Sequence, residues 1–421
     1  MSRLPRLLFA CSLCLLPVFA HAYADLPAHP QVDRALDEHL NVRNARARLQ
    51  IGQSEQRLRD SGEYEFTLQG GLYRDQVAES GEQTNTRDWE VSIERPLRLP
   101  SKARIDSQIG EAAVARGQSA LGDARHETAR LLLQLWFSWQ REQVQAAQWQ
   151  EQLQLLQQQA RITEKRIKAG EAPPMELKQV QASAATSAVA LQQARLRAEL
   201  AADELKRQFG AIRLPQSVAQ VEPQPITRPI DYWRDKILDH NHELALAAAE
   251  TEYQNRLAAR ARARAERLPD PTLGLRYSSE LNNQQKIGGV YFSIPLGYSA
   301  RSAKAEAAAA NAGIASNHRL VLDAGLESNI FNAYTRAVSS FGIWQQARDA
   351  AEALKQYAAL MARAYALGES TLDATLLARR QALEAALAED MARLDANESR
   401  YRLMLDAEEL WRSDDDGHAP H

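Results

Sequence analysis

Cysteine is almost missing from this 421-residue chain: its two cysteines, Cys11 and Cys14, both fall within the first 24 residues. That segment has the make-up of an export signal. Arg3 and Arg6 precede an apolar run over 7–20, and small residues at Ala20, Ala22 and Ala24 offer cleavage after Ala22 or Ala24. Lipid attachment at Cys11 is the competing reading, disfavoured by the short apolar stretch before it and by bulky Phe9. A chain matured by that cleavage keeps no thiol, which excludes disulfides, thiolate metal sites and cysteine nucleophiles. Glycine (19) and proline (16) are sparse and gathered at a few places. That favours one elongated unit over two ordinary domains. After the signal, no apolar run approaches the ~20 residues that a membrane-spanning helix needs. If this chain enters a membrane, it enters as strands. One-sided charge is missing too: 51 lysines and arginines stand against 54 aspartates and glutamates, so there is no nucleic-acid footprint.

What the chain does have, it has twice. Leu132, Trp139, Ala146, Leu153, Ala160 and Ile167 recur every seven residues, and Gly170 follows three residues later. Ile330, Ala337, Trp344, Ala351, Ala358 and Tyr365 repeat the row 198 residues on, and Gly368 follows. Each row has a partner row three residues further, Leu135, Trp149 and Leu156 in one copy and Ala333, Ala347, Leu354 and Met361 in the other. Apolar positions in this pattern over five heptads predict long helices packed along a seam. A duplication of this kind sets the architecture before any local detail does.

Ahead of each long helix the period changes from helical to two. A charged amphipathic helix over 30–60 ends at Ser61-Gly62. Tyr64, Phe66 and Leu68 then alternate with Glu65, Thr67 and Gln69, and after a polar stretch over 76–87 Trp89, Val91 and Ile93 alternate with Glu90, Ser92 and Glu94. This reads as a hairpin with one apolar face, ended by Pro96 and Pro100. In the second half a helix over 231–267 stops at Pro269-Asp270-Pro271. Leu273, Leu275 and Tyr277, then Val290, Phe292 and Ile294, show the same alternation, and Pro295 closes it.

The proline-free stretches 102–168 and 300–367 predict helices of roughly 100 Å. Gly170 supplies the left-handed end of the first, and Pro173 and Pro174 open the return helix, where a missing N–H is harmless. Leu177, Ala184, Leu191, Ala198 and Leu205 carry the heptad row back. Ser370 and Asp373 are spaced like a capping box for the last helix. The expected organisation is a signal at 1–24, a first repeat at 25–214, a linker at 215–230, a second repeat at 231–412 and a disordered acidic, histidine-bearing tail at 413–421. Strands are expected at about 64–75, 87–98, 271–279 and 287–296, and the two turns at 169–174 and 367–371.

A two-stranded ribbon is marginal in water, and no second apolar layer is available to cover these. Short segments that are apolar on one face and polar on the other are the signature of transmembrane barrel strands. One chain supplies four, and an open sheet cannot sit in lipid with unpaired edges. The barrel must therefore close between chains, with two or three copies both compatible with the count.

The order of elements, the duplication, and the turns Lys165-Arg166-Ile167-Lys168-Ala169-Gly170-Glu171 and Ala364-Tyr365-Ala366-Leu367-Gly368-Glu369-Ser370 resemble the TolC family of outer-membrane efflux proteins. Pro269-Asp270-Pro271 and Phe292-Ser293-Ile294-Pro295-Leu296 fit that resemblance, which spans the whole chain after the signal. It implies a fold that is mainly α with membrane β-strands: a homotrimer with a twelve-stranded barrel in the bacterial outer membrane and a long α-helical barrel in the periplasm. It also implies partners, a periplasmic adaptor (membrane fusion protein) and an inner-membrane RND-type pump. The segment Ser92-Ile93-Glu94-Arg95-Pro96-Leu97-Arg98-Leu99-Pro100-Ser101-Lys102 is similar to the CzcC-type components of heavy-metal efflux. A duct for drugs or other organic solutes stays open beside it. Ala172-Pro173-Pro174 departs from the more usual Ser370-Thr371-Leu372-Asp373 of the second turn.

For catalysis the sequence offers no phosphate-binding loop, no nucleophile elbow and no zinc-protease motif. No cofactor is implied. Asp414-Asp415-Asp416 with His418 and His421 could ligate a metal, but a terminal charge run reads better as a solvated tail. His126, His240, His242 and His318 lack ligand spacing, and Trp136, Phe137, Trp139 and Trp149 read as core or seam packing. The candidate functional positions are therefore structural. Gly170, Glu171, Gly368, Glu369 and Ser370 mark the periplasmic tip, with Glu176 and Asp373 as further tip carboxylates. These acids either ring a pore, where they would favour cations, or balance helix starts; both readings stay open. Phe66, Val91, Leu275 and Phe292 are the lipid-facing strand positions, and outer-membrane lipid is the solvent they imply. The rival from another class is an exported, soluble coiled-coil scaffold without a pore.

Overall fold

The computed structural model describes residues 23–62, 64–79, 82–266 and 269–411. The expected signal up to residue 22 and the terminal acidic and histidine tail therefore lie outside the described residues. Each half repeats one order of elements: short helix, helix, strand, strand, long helix, return helix. In the first half these are α1 (His29–Glu38), α2 (Leu40–Ser61), β1 (Thr67–Glu79), β2 (Glu82–Pro96), α3 (Pro100–Lys168) and α4 (Pro174–Gln208). In the second they are α5 (Ile230–Asp239), α6 (His242–Glu266), β3 (Thr272–Glu280), β4 (Gln285–Ser293), α7 (Ser299–Ala366) and α8 (Leu372–Asp406).

The first helix of each repeat is not continuous as expected. His39 takes an extended conformation between α1 and α2, and the second repeat breaks at the same place, after a ten-residue α5. There the Asn241 side chain accepts from the Leu244 N–H at 2.7 Å and restarts the helix as a cap does. In both halves the break turns a short amphipathic helix onto the core. Val32 and Leu36 of α1 and Trp233 and Ile237 of α5 are buried in it.

That core lies where the middle of α3, the end of α4, the linker, α7 and the end of α8 meet. The linker is not a free tether: Val218 and Ile226 pack on the core, and Asn397 donates to the Val221 carbonyl. Trp136, Phe137 and Trp139 are buried there, whereas Trp149 lies outside it. Below the core, α2, α3, α6 and α7 pack in sequence, and α2 meets α3 closely. A Cβ on Gly52 would come within 2.6 Å of the Ala113 carbonyl oxygen, so only glycine allows that approach. Above it, α3 pairs with α4 and α7 with α8, and α3 also packs on α8. In the second heptad row Ile330, Ala337, Trp344, Ala358 and Tyr365 are buried and Ala351 is half-buried. In the first row only Leu132 and Trp139 are buried, and towards its end α3 buries Leu156, Gln159 and Thr163 instead.

The four strands form one antiparallel sheet in the order β1-β2-β3-β4, so the two repeats join through β2 and β3. Its ends differ from those expected. β1 runs on to Glu79 and β2 starts at Glu82, because the polar residues read as a loop continue the ladder, with Gln76 opposite Asn85. Backbone pairing needs no apolar side chain, so the loss of alternation did not mark the strand ends. β4 ends at Ser293, ahead of Pro295, which has no N–H to donate.

Candidate functional site

The sheet has one apolar face, and the register assembles it. Leu68 lies opposite Ile93, Ile93 opposite Leu275 and Leu275 opposite Val290; Gly70, Val91 and Tyr277 form the next row, and Leu72, Trp89 and Ser279 the one after. Phe292 joins them opposite Leu273. Leu72 is 90% exposed, Phe292 73%, Leu68 73% and Leu275 57%, and Val91 is exposed as well. Phe66, expected in the strand, is exposed but lies one residue before β1. The other face carries Gln69, Glu90, Ser92, Glu94 and Arg276. It is knitted by polar contacts, among them Arg276 to Glu90 at 2.9 Å, Gln69 to Glu94 at 2.9 Å and the Tyr291 hydroxyl to Glu94 at 2.7 Å. This inverts a water-soluble protein, which would turn such an apolar face inward. Tyr64 does not join that face. It precedes β1, and its hydroxyl donates to Asp270 Oδ2 at 2.8 Å.

Asp270 is the joint between sheet and helices, a role the sequence did not disclose. Lys102, fully buried at the start of α3, donates to Asp270 Oδ1 at 3.0 Å. Burial pushes the carboxyl upward, but the hydrogen bonds from Lys102, Tyr64 and the Leu99 N–H outweigh it and hold Asp270 below the usual carboxylate range. The proline-flanked turn of one repeat is thereby fastened to the long helix of the other.

At the opposite end the two turns are built alike. Gly170 and Gly368 have φ of +77° and +80°. In the first turn the Gly170 N–H donates to Ile167 and the Glu171 N–H to Arg166; in the second Gly368 donates to Tyr365 and Glu369 to Ala364. This is the Schellman pattern, which needs a left-handed residue at the position glycine holds. The expected capping residue moves by one: Thr371, not Ser370, accepts from the Ala374 N–H, and α8 begins at Leu372.

The tip carboxylates divide into two kinds. Glu171 and Glu369 are exposed at the apices. Glu176 accepts from the Tyr365 hydroxyl at 2.6 Å, and Asp373 accepts from the Gln179 side chain. Both bonds join the first hairpin's return helix to the second hairpin, and Val180, Leu372 and the Tyr365 ring pack beside them. Arg166 lies 4.9 Å over that ring. Burial, together with the bond to Glu176 and its charge, pushes the Tyr365 phenol above its usual range.

The structure also gathers histidines that the sequence scatters. His126 of α3 and His242 of α6 lie 5.4 Å apart, His126 Nε2 is 3.4 Å from Asp406, and His242 Nε2 is 2.7 Å from Glu408. Burial raises the Asp406 carboxyl, but the His126 bond and the charges of Arg130 and Arg402 more than offset it and leave it lowered. Among the described residues no group of three or more histidine, cysteine or acidic side chains is placed to hold a metal ion. No helix among them is long and apolar enough to cross a membrane.

No protein-family model matches the chain, and neither does any curated protein. Solved structures do. The CmeC outer membrane channel of Campylobacter jejuni superposes with a TM-score of 0.72 over 99% of this chain and 95% of its own, at 16% identity. CusC, described for transmembrane channel formation, gives 0.68 over 90% and 91% at 17% identity. The outer membrane protein VceC of Vibrio cholerae gives 0.67 over 91% and 95% at 16% identity. At such identities the likeness establishes the fold: mainly helical, with a small four-stranded antiparallel sheet.

Proposed function

We propose that the chain is the outer-membrane exit duct of a tripartite efflux system and conducts its cargo passively. The observation that carries this is the exposed apolar face on a sheet whose two edges, β1 and β4, are unpaired. Lipid accepts that face, but not open edges. The helices carry edges on the same two flanks. On one, α2 exposes Ile51 and Leu58 at heptad spacing, and α4 exposes Val189, Leu196 and Leu200. On the other, α7 exposes Ile314, Val321, Phe331 and Val338. Unlike edges on opposite flanks suit head-to-tail contacts that close into a ring. Three copies, giving twelve strands and a helical tunnel, is the number implied by the resemblance to TolC-family proteins. The solved CmeC channel, CusC and the outer membrane protein VceC, which share this fold, support the same reading.

In this reading the glycine turns form the periplasmic tip, which meets a periplasmic adaptor and, through it, an RND-type pump of the inner membrane. Glu171 and Glu369 are the acids free to ring the opening. Heavy-metal cations are the favoured cargo, on the resemblance of residues 92–102 to CzcC-type components; organic solutes are the second reading. The test of closure uses the cysteine-free mature chain. Leu68→Cys and Phe292→Cys, introduced together and treated with a bifunctional thiol reagent, should give a covalent ladder that ends at three copies. A ladder ending at two, or none, would contradict the ring.

A further inference from the structure

Where the strands return to the helices, the ends of α2 and α6, residues 295–297 and the start of α7 enclose a cleft of about 800 Å³. Six of its lining side chains are cationic and two, Asp106 and Asp270, are acidic. Some of that charge is already used. Arg260 donates to Asp106 at 2.7 Å, and Arg98 donates to the last carbonyls of α2, including Asp60 at 3.0 Å. The rest is not. Arg264 and Lys304 are exposed, and among the described residues neither has a carboxylate partner. Arg301 donates one N–H to the Pro295 carbonyl at 3.2 Å, while its Nε is buried with no partner. Like charges held together in one cleft repel, and an anion between them relieves that repulsion. The guanidinium fork matches phosphate oxygens.

The surroundings narrow the source of the anion. Leu296, 94% exposed, lines the cleft, and Tyr298 and Phe292, both exposed, flank it in sequence. A free phosphate would leave this apolar rim in contact with water. A phosphate carried on acyl chains would occupy the cleft and cover the rim together. We infer that the cleft binds the phosphate of an anionic phospholipid headgroup, with Arg264, Arg301 and Lys304 as its ligands. This inference rests on the reading that the adjacent sheet lies in lipid, with the cleft at headgroup level, where basic pockets recognise lipid phosphates.

The test is calorimetric titration of the full-length protein, assembled in detergent, with short-chain phosphatidylglycerol and separately with inorganic phosphate. The lipid should bind saturably, and at least tenfold more weakly to the R264Q/K304Q variant of the same oligomeric mass. Inorganic phosphate should bind at least tenfold more weakly than the lipid. Equal lipid affinity in the variant, no lipid binding, or inorganic phosphate binding as tightly as lipid would each overturn the inference. Bilayer conductance of the wild-type protein separates the two claims. A conducting protein that binds no lipid loses the headgroup site and keeps the duct, whereas a protein that neither conducts nor binds loses both.

Discussion

The Tyr365 hydroxyl, one residue before the end of α7, donates a 2.6 Å hydrogen bond to Glu176 Oε2 in the first turn of α4. One residue belongs to each repeat, so the bond ties the two hairpins together close to their turns. Tyr365 is 8% exposed and Glu176 is half-buried, so the bond is partly shielded from water. A hydrogen bond to a charged group is worth about 1.5–3 kcal/mol. If the tip opens by parting these hairpins, Tyr365→Phe should shift the closed-to-open equilibrium by roughly ten- to a hundredfold. Single-channel recordings should then show larger or longer openings with the trimer intact. Unchanged openings would leave the bond a packing detail.

The sheet face makes a separate prediction. Aspartate at Phe66, Val91, Leu275 or Phe292 should lower the yield of assembled protein, because a charge facing lipid near the midplane costs about 2–4 kcal/mol for a basic residue and less for an acid. Ser293→Asp, on the polar face and exposed, should be tolerated. Ser92 is a poorer control than its position suggests, being 3% exposed between Glu90 and Glu94. Equal yields from the two faces, measured in outer-membrane fractions, would refute the assignment.

Gly368→Val addresses the turn. Nothing lies within 4 Å of the Cβ it would add, so the cost is conformational, about 1–2 kcal/mol for a side chain held left-handed. That is too little to unfold two long hairpins and enough to deform a turn. Trimers should reach the outer membrane while export fails. Loss of the trimer would assign the glycine to folding alone, and normal export would remove it from the tip's function.

Much of this was legible from spacing. The second heptad row named buried seam residues, the change to period two located both hairpins, and the glycines marked both turns, because each pattern is local. In the first row only Leu132 and Trp139 are buried, and the polar Gln159 and Thr163 take the seam further along α3. What spacing could not show depends on contacts between distant segments. Nothing near Asp270 announces that Lys102 and Tyr64 converge on it, and His126 and His242 meet only because α3 packs on α6. The breaks at His39 and His240 interrupt no hydrophobic period, and the outer ends of β1 and β2 pair without any alternation to betray them.

The apical acids can be separated from the acids that hold the hairpins together. If Glu369 rings the opening, Glu369→Gln should lower cation preference and weaken block by trivalent cations in planar bilayers. If it only balances the start of α8, the change should cost about 0.3–1 kcal/mol of stability and leave ion preference alone. Asp373→Asn, which alters the acceptor for Gln179, should act on opening rather than on selectivity. Unaltered selectivity in Glu369→Gln would turn attention to Glu171.

The central claim is that this chain closes with copies of itself into a pore through lipid. It is met most directly by adding the purified full-length protein, of measured oligomeric mass, to a planar bilayer. The account requires three copies and discrete, reproducible conductance steps. A protein that stays monomeric in the soluble periplasmic fraction and produces no steps would contradict it and favour the exported coiled-coil scaffold.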